Sequence, residues 1–130
     1  MKDIKNILAV SPSIKPAAAF IATQVGDSVD LKGFASAMAV FAAGVADTVT
    51  GDETYIPGFE DSSDDSTFAA VVAAEIEGDI TTILQDTVRK IGYKGNKRYL
   101  KATLTIAGTT PSILCSGVIV AGNPEVAPTA

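Results

Sequence analysis

Tyr99-Leu100-Lys101-Ala102-Thr103-Leu104-Thr105-Ile106 decides the fold class of this 130-residue chain. Leu100, Ala102, Leu104 and Ile106 share one face, and Tyr99, Lys101, Thr103 and Thr105 share the other. A period of two marks a strand with one buried face. Downstream, Gly108-Thr109-Thr110-Pro111-Ser112 supplies turn residues, and the apolar run 113–121, with Gly117 inside it, reads as a buried strand. Upstream, 87–93 alternates less cleanly. Lys94-Gly95-Asn96-Lys97 then predicts a short hairpin turn, with Gly95 or Asn96 at positive φ.

Two alanine-rich runs in the middle are ambiguous. Residues 34–46 (FASAMAVFAAGVA) and 68–76 (FAAVVAAEI) carry the best helix former in quantity. Against helix stand Gly44 in the first run, the shortness of the second, and turn clusters at 51–53 and 60–66. Short apolar runs with turn signals between them favour strands. The expectation is an all-β chain: an antiparallel β-sandwich or small barrel of roughly eight strands with an extended N-terminal arm. Pro12 and Pro16 break the first segment and push their predecessors toward extended geometry. The expected organisation is an arm leading into a first strand (1–28), a sandwich domain (29–121) and a C-terminal tail (122–130).

Composition narrows the function. The hydrophobic share is 47% and the charged share 19%, which suits one packed domain. There is no histidine, so Ser–His, Cys–His and zinc–His chemistry has no base or ligand. Cys115 is the one cysteine and excludes an intramolecular disulfide; inside its apolar run it reads as a small buried hydrophobe. The segment Met1-Lys2-Asp3-Ile4-Lys5 lacks the apolar core of a signal peptide, and no apolar window is long enough to span a bilayer. The expectation is a protein of a reducing compartment that is not an enzyme and takes no cofactor and no metal.

Charge is segregated. Net charge is −5, which disfavours binding nucleic acid. Yet six of the ten basic residues (Arg89, Lys90, Lys94, Lys97, Arg98 and Lys101) fall within 89–101, with Tyr93 and Tyr99 interleaved. Such a pattern suits stacking on a single-stranded nucleic acid, a solvated hairpin whose lysine stems cover apolar surface, or a patch facing an acidic protein. Ten of the fifteen acidic residues lie between Asp47 and Asp79, most tightly at Glu60, Asp61, Asp64 and Asp65. Calcium takes such oxygens, but the order is not that of an EF-hand loop, and Asx-turns explain it more cheaply. A glycosidase pair would need aromatic platforms, for which this chain without Trp is poor ground. If copies pack around a symmetry axis, one copy's basic turn could meet the next copy's acidic loop.

Several of these cues occur together in one known kind of protein. Lys32-Gly33-Phe34 leads into an apolar strand, Phe59-Glu60-Asp61-Ser62-Ser63-Asp64-Asp65-Ser66-Thr67-Phe68 follows, and the pattern Gly-Tyr-x-Gly-x-Lys-Arg-Tyr stands at 92–99. From about Val29 to Pro128 the chain resembles the small structural proteins of tailed bacteriophages encoded beside the major capsid protein, in particular capsid decoration (cement) proteins. The resemblance implies a β-sandwich without enzymatic activity, seated on the outer surface of the phage head and reinforcing contacts between capsomers. It implies the major capsid protein and further copies of the chain as partners, and a location on the virion after synthesis in the host cytoplasm. A neck or tail component, or a surface-displayed carbohydrate-binding module, is the alternative. The candidate contacts are Ile4, Ile7, Leu8 and Val10 in the arm and Tyr93, Lys94, Lys97, Arg98 and Tyr99 near the basic turn.

Overall fold

The computed structural model describes residues 3–48 and 51–125. Among them are ten strands and two single-turn 3-10 helices, Lys5–Ile7 and Ala73–Glu75. The strands are β1 (Ala9–Ile14), β2 (Gln24–Val25), β3 (Val29–Asp30), β4 (Phe34–Ala46), β5 (Thr54–Ser62), β6 (Ala69–Ala70), β7 (Ile76–Glu77), β8 (Val88–Tyr93), β9 (Tyr99–Ala107) and β10 (Ile113–Pro124). They form two antiparallel sheets packed as a sandwich, not a closed barrel. Sheet A has the order β1-β10-β4-β8-β7, and sheet B the order β2-β9-β5-β6, with β3 continuing the β2 lane along β9.

The strand that decided the fold class behaves as its alternation requires. Leu100, Ala102 and Leu104 are fully buried and Ile106 nearly so, and β9 lies between β5 and the β2/β3 lane. The first alanine-rich run is one strand, β4, paired on both sides by β10 and β8. Pairing overrides its helix propensity, and Ala37, Ala39 and Phe41 face the core. The second run is neither helix nor a continuous strand. It gives β6, the turn Ala73–Glu75 and β7 in succession, because here the chain steps around the sandwich edge from sheet B to sheet A.

The expected hairpin at 94–97 is corrected. The strand before it pairs with β4 and β7, the strand after it with β5, β2 and β3, so the turn carries the chain from one sheet to the other. Neither Gly95 nor Asn96 has positive φ. Glycine is needed at 95 for space, since a Cβ there would run into the Tyr93 ring. Residues of the N-terminal segment pack on the domain itself: β1 pairs with β10 along its length, and Gly122 to Pro124 extend β10. The last five residues of the expected tail lie outside the described ones.

Three buried hydroxyls tie the sheets together. At one edge, Ser13 of β1 is 2% exposed. Its Oγ donates to the Asp27 carbonyl (2.8 Å) and accepts from the Ala102 N–H (3.0 Å). The Asp27 N–H returns a bond to the Ser13 carbonyl (2.8 Å). This works because Gly26 has no side chain: a Cβ there would lie 2.6 Å from the Ser13 carbonyl carbon. At one end, the Tyr55 hydroxyl bonds the Asp47 carbonyl (2.6 Å) and accepts from the Ser112 N–H (3.0 Å). At the other, the Tyr93 hydroxyl donates to Asp61 (2.7 Å) and accepts from the Lys97 N–H (3.0 Å).

Ser13→Ala leaves the buried Ala102 N–H without its partner, so it should destabilise by about 1–3 kcal/mol. Gly26→Ala should cost a similar amount by forcing β1 off sheet B. Urea unfolding checks both, and unchanged midpoints would remove the Ser13 junction from the account.

Candidate interaction surface

The basic segment is largely occupied by its own chain. Arg98 makes a bidentate pair with Asp30, 2.8 Å in both arms, and lies over the Tyr99 ring at 5.0 Å. That pair raises the Arg98 pKa and holds the Asp30 carboxyl down to about 2. Arg89 donates to the carbonyls of Asp79 (2.8 Å) and Thr81 (3.0 Å). Lys94 pairs with Glu77 at 3.4 Å, and Lys101 sits 3.9 Å from the Phe68 ring centroid. Among the described residues only Lys90 and Lys97 of the six have no ion pair or ring partner. The residue pattern that suggested a nucleic-acid stripe is mostly intramolecular bonding.

The predicted contact residues separate accordingly. Tyr93 is 9% exposed, packs edge-on against Phe59 with centroids 5.8 Å apart, and serves the core. Burial first, then its bond to Asp61, pushes its hydroxyl pKa up. Tyr99 is half-buried beneath Arg98, while Lys94 and Lys97 project to solvent. In the arm, Ile4 and Val10 are about two-thirds exposed. Ile7 and Leu8 are half-buried, Leu8 closing over Gly122 of β10.

The acidic loop is built from Asx-type bonding. Asp64 accepts from the N–H groups of Thr67 and Ser66, both at 3.0 Å, and from the Ser62 hydroxyl at 2.8 Å. These bonds hold its pKa down to about 2. Asp61 takes the Tyr93 hydroxyl. Among the described residues no group of three or more His, Cys, Asp or Glu is placed to hold a metal ion. The loop follows β5 and lies at the same end of the sandwich as residues 94–98, since Ser62 pairs with Tyr99. Cys115 is 4% exposed, and desolvation lifts its thiol to about 11, as an unreactive packing residue requires.

The surface that sequence reasoning touched only at Val10 is the outer face of sheet A. Register places Val10, Val120 and Met38 in one row across it, Pro12, Val118 and Val40 in the next, and Ser116, Ala42 and Val88 in a third. Val10 and Val88 are 63% and 70% exposed. Lys90, opposite Val40, and Glu77, opposite Gly92 at the β7 edge, are the charges those rows carry. The outer face of sheet B is of another character: Thr54, Ile56, Gly58 and Glu60 on β5 face Ala107, Thr105, Thr103 and Lys101 on β9. Glycine, threonine and two charged residues suit water. The missed signal was in β4, whose sequence is apolar at both parities, the mark of a strand covered on both faces. On the β1 edge, Pro12 offers no N–H, which blunts edge-to-edge pairing.

No family model and no curated protein matches the chain. Its structure is similar to that of the SPBc2 prophage-derived protein YomS, with TM-score 0.48, 11% identity, and coverage of 88% of this chain and 95% of that one. It is also similar to a chain of infectious bursal disease virus, Gx strain, with TM-score 0.46 and 14% identity over 93% of this chain. The chain spans about a third (34%) of the latter. Likenesses at this level assign no function.

The depressed carboxyl groups predict an acid response. A folded-state pKa lowered from 3.8 to about 2 adds stability above 3.8 that is lost as pH falls through 2. Melting temperature should therefore fall between about pH 4 and pH 2, and Asp64→Asn should flatten that fall. Tyr93→Phe should destabilise by about 1–3 kcal/mol, whereas Lys97→Glu should stay within about 0.5 kcal/mol. Equal effects of the two would contradict the assignment of Tyr93 to the core.

Proposed function

We propose that this chain is a virion structural protein of the capsid decoration kind, docking the outer face of sheet A on the major capsid protein of a phage head. The observation that carries the reading is the asymmetry of the two outer faces: sheet A shows aliphatic rows with charge only toward its β8 and β7 side, whereas the β5 and β9 rows of sheet B are rich in threonine. An exposed aliphatic sheet face is a partner surface more often than a solvent surface. At about 25 cal/mol per Å², modest apolar areas repeated over many copies reinforce contacts between capsomers. Attachment to more than one capsomer would slow release without tighter individual contacts. The 92–99 pattern adds the resemblance to decoration proteins. Tyrosines do not support the carbohydrate-binding alternative, because Tyr55 and Tyr93 are buried and Tyr99 is covered by Arg98.

Quantitative mass spectrometry of gradient-purified particles tests the reading. Decoration predicts a copy number near that of the capsid protein or a regular fraction of it. A few copies per particle would move the chain to the neck or tail, and absence would overturn a virion role. Val10→Asp and Val88→Asp, both at exposed positions, should leave folding unchanged and weaken particle binding by about tenfold or more. Undiminished binding would exclude the sheet A face.

A further inference from the structure

The loop 78–87 between β7 and β8 has no regular secondary structure, yet it is held firmly. The Ile83 N–H donates to the Tyr55 carbonyl (2.8 Å), and the Asp86 N–H to the Gly44 carbonyl (2.9 Å). Thr87 Oγ1 donates to the Leu84 carbonyl (2.6 Å) while Arg89 braces the carbonyls of 79 and 81. Ile83 is 1% exposed, but its neighbour Leu84 is 63% exposed. A fixed loop presenting an apolar side chain has already met most of the ordering cost of binding, as contact anchors do. The carboxylates of Asp47, Asp52 and Asp86 belong to the same end of the sandwich. Segments 43–48, 51–54, 78–88 and 105–114, which form that end among the described residues, contain no lysine or arginine.

The opposite end holds the acidic loop 60–65 and, beside it, the cations of the basic turn. A cleft of about 260 Å³ lies there, floored by Leu31, Phe34, Ala35 and Ala37. Lys32, Lys97 and Arg98 line its rim. Arg98 is engaged by Asp30, but the Lys97 ammonium has no ion pair among the described residues. Small-molecule sites run from roughly 300 to 1,000 Å³. This cleft falls below that range and suits a single large aliphatic side chain beside a carboxylate. A chain cannot fill its own cleft with Leu84. The cleft opens at Phe34 and the loop is tied to Gly44, ten residues along β4, or about 33 Å at the usual strand rise.

We propose that copies of this chain join head to tail, with Leu84 of one copy seated in the cleft of the next and Asp86 facing Lys97. Such a contact joins two different surfaces, so it propagates until it closes into a ring or continues as a filament. It requires no capsid and stands apart from the reading of sheet A. It is distinct from a pairing of basic turn with acidic loop between copies, since those two lie at the same end of one molecule.

Sedimentation velocity of the purified chain over a wide concentration range, at low and high salt, tests this. The proposal expects concentration-dependent association that weakens with salt. Leu84→Asp and Ala35→Trp, both at exposed positions, should each weaken association by about tenfold or more, with unchanged melting. Lys97→Glu and Asp86→Lys should each weaken it, and the double variant should recover it. A chain that stays monomeric throughout, an association indifferent to Leu84→Asp, or a double variant no better than the singles would overturn the proposal.

Discussion

The Ser13 hydroxyl is the contact on which the rest of the molecule depends. It sits in a strand of sheet A and is bonded at both lone pair and proton to backbone of sheet B, on the site left open by Gly26. The β2/β3 lane must step around it, which is why that lane is two short strands instead of one. Two sheets held by packing alone could slide, since hydrophobic attraction has no direction. Hydrogen bonds from Ser13, Tyr55 and Tyr93 do have direction, and they fix the sheets at one edge and at both ends. Being buried, each bond is also costly to leave unmade.

Fixing the sheets from within leaves the outer faces free to differ. Sheet B spends its outer positions on threonine and on the Glu60 and Lys101 pair of positions, while β1, β10 and β4 of sheet A spend theirs mainly on valine, with charge confined to Lys90 of β8 and Glu77 of β7. Pro12 takes one N–H away from the β1 edge and so disfavours strand addition there. The two ends of the sandwich differ as well, one free of cations in its loops and one carrying both the basic turn and the acidic loop.

Most of the fold was legible in the sequence because strand alternation is a local signal. Residues 100–106 show it without interruption, and the antiparallel sandwich follows from it. Connections were not legible. Lys94-Gly95-Asn96-Lys97 has the composition of a hairpin turn, and only the pairing partners of the flanking strands show that the chain changes sheets there. Tyr93 illustrates the same limit at the level of a site. Interleaved with cations it looks like a contact residue, but its parity on β8 sends it inward, where Asp61 and the Lys97 N–H satisfy its hydroxyl. Beyond Val10, the sheet A surface was missed because it belongs to no contiguous segment: Val118, Met38 and Val88 come from three further strands. Its trace was the double apolar parity of 34–46, a signal that alanine's helix propensity obscured.

Met38 stands in the middle of that outer face, half-buried, between Val120 and Gly92. Hydroxyl-radical footprinting of Met38 oxidation, comparing the isolated chain with the chain on purified particles, therefore tests the central claim most directly. Docking through sheet A predicts ready oxidation in isolation and strong protection on the particle. Equal oxidation in the two states would contradict it and turn attention to the other faces of the sandwich.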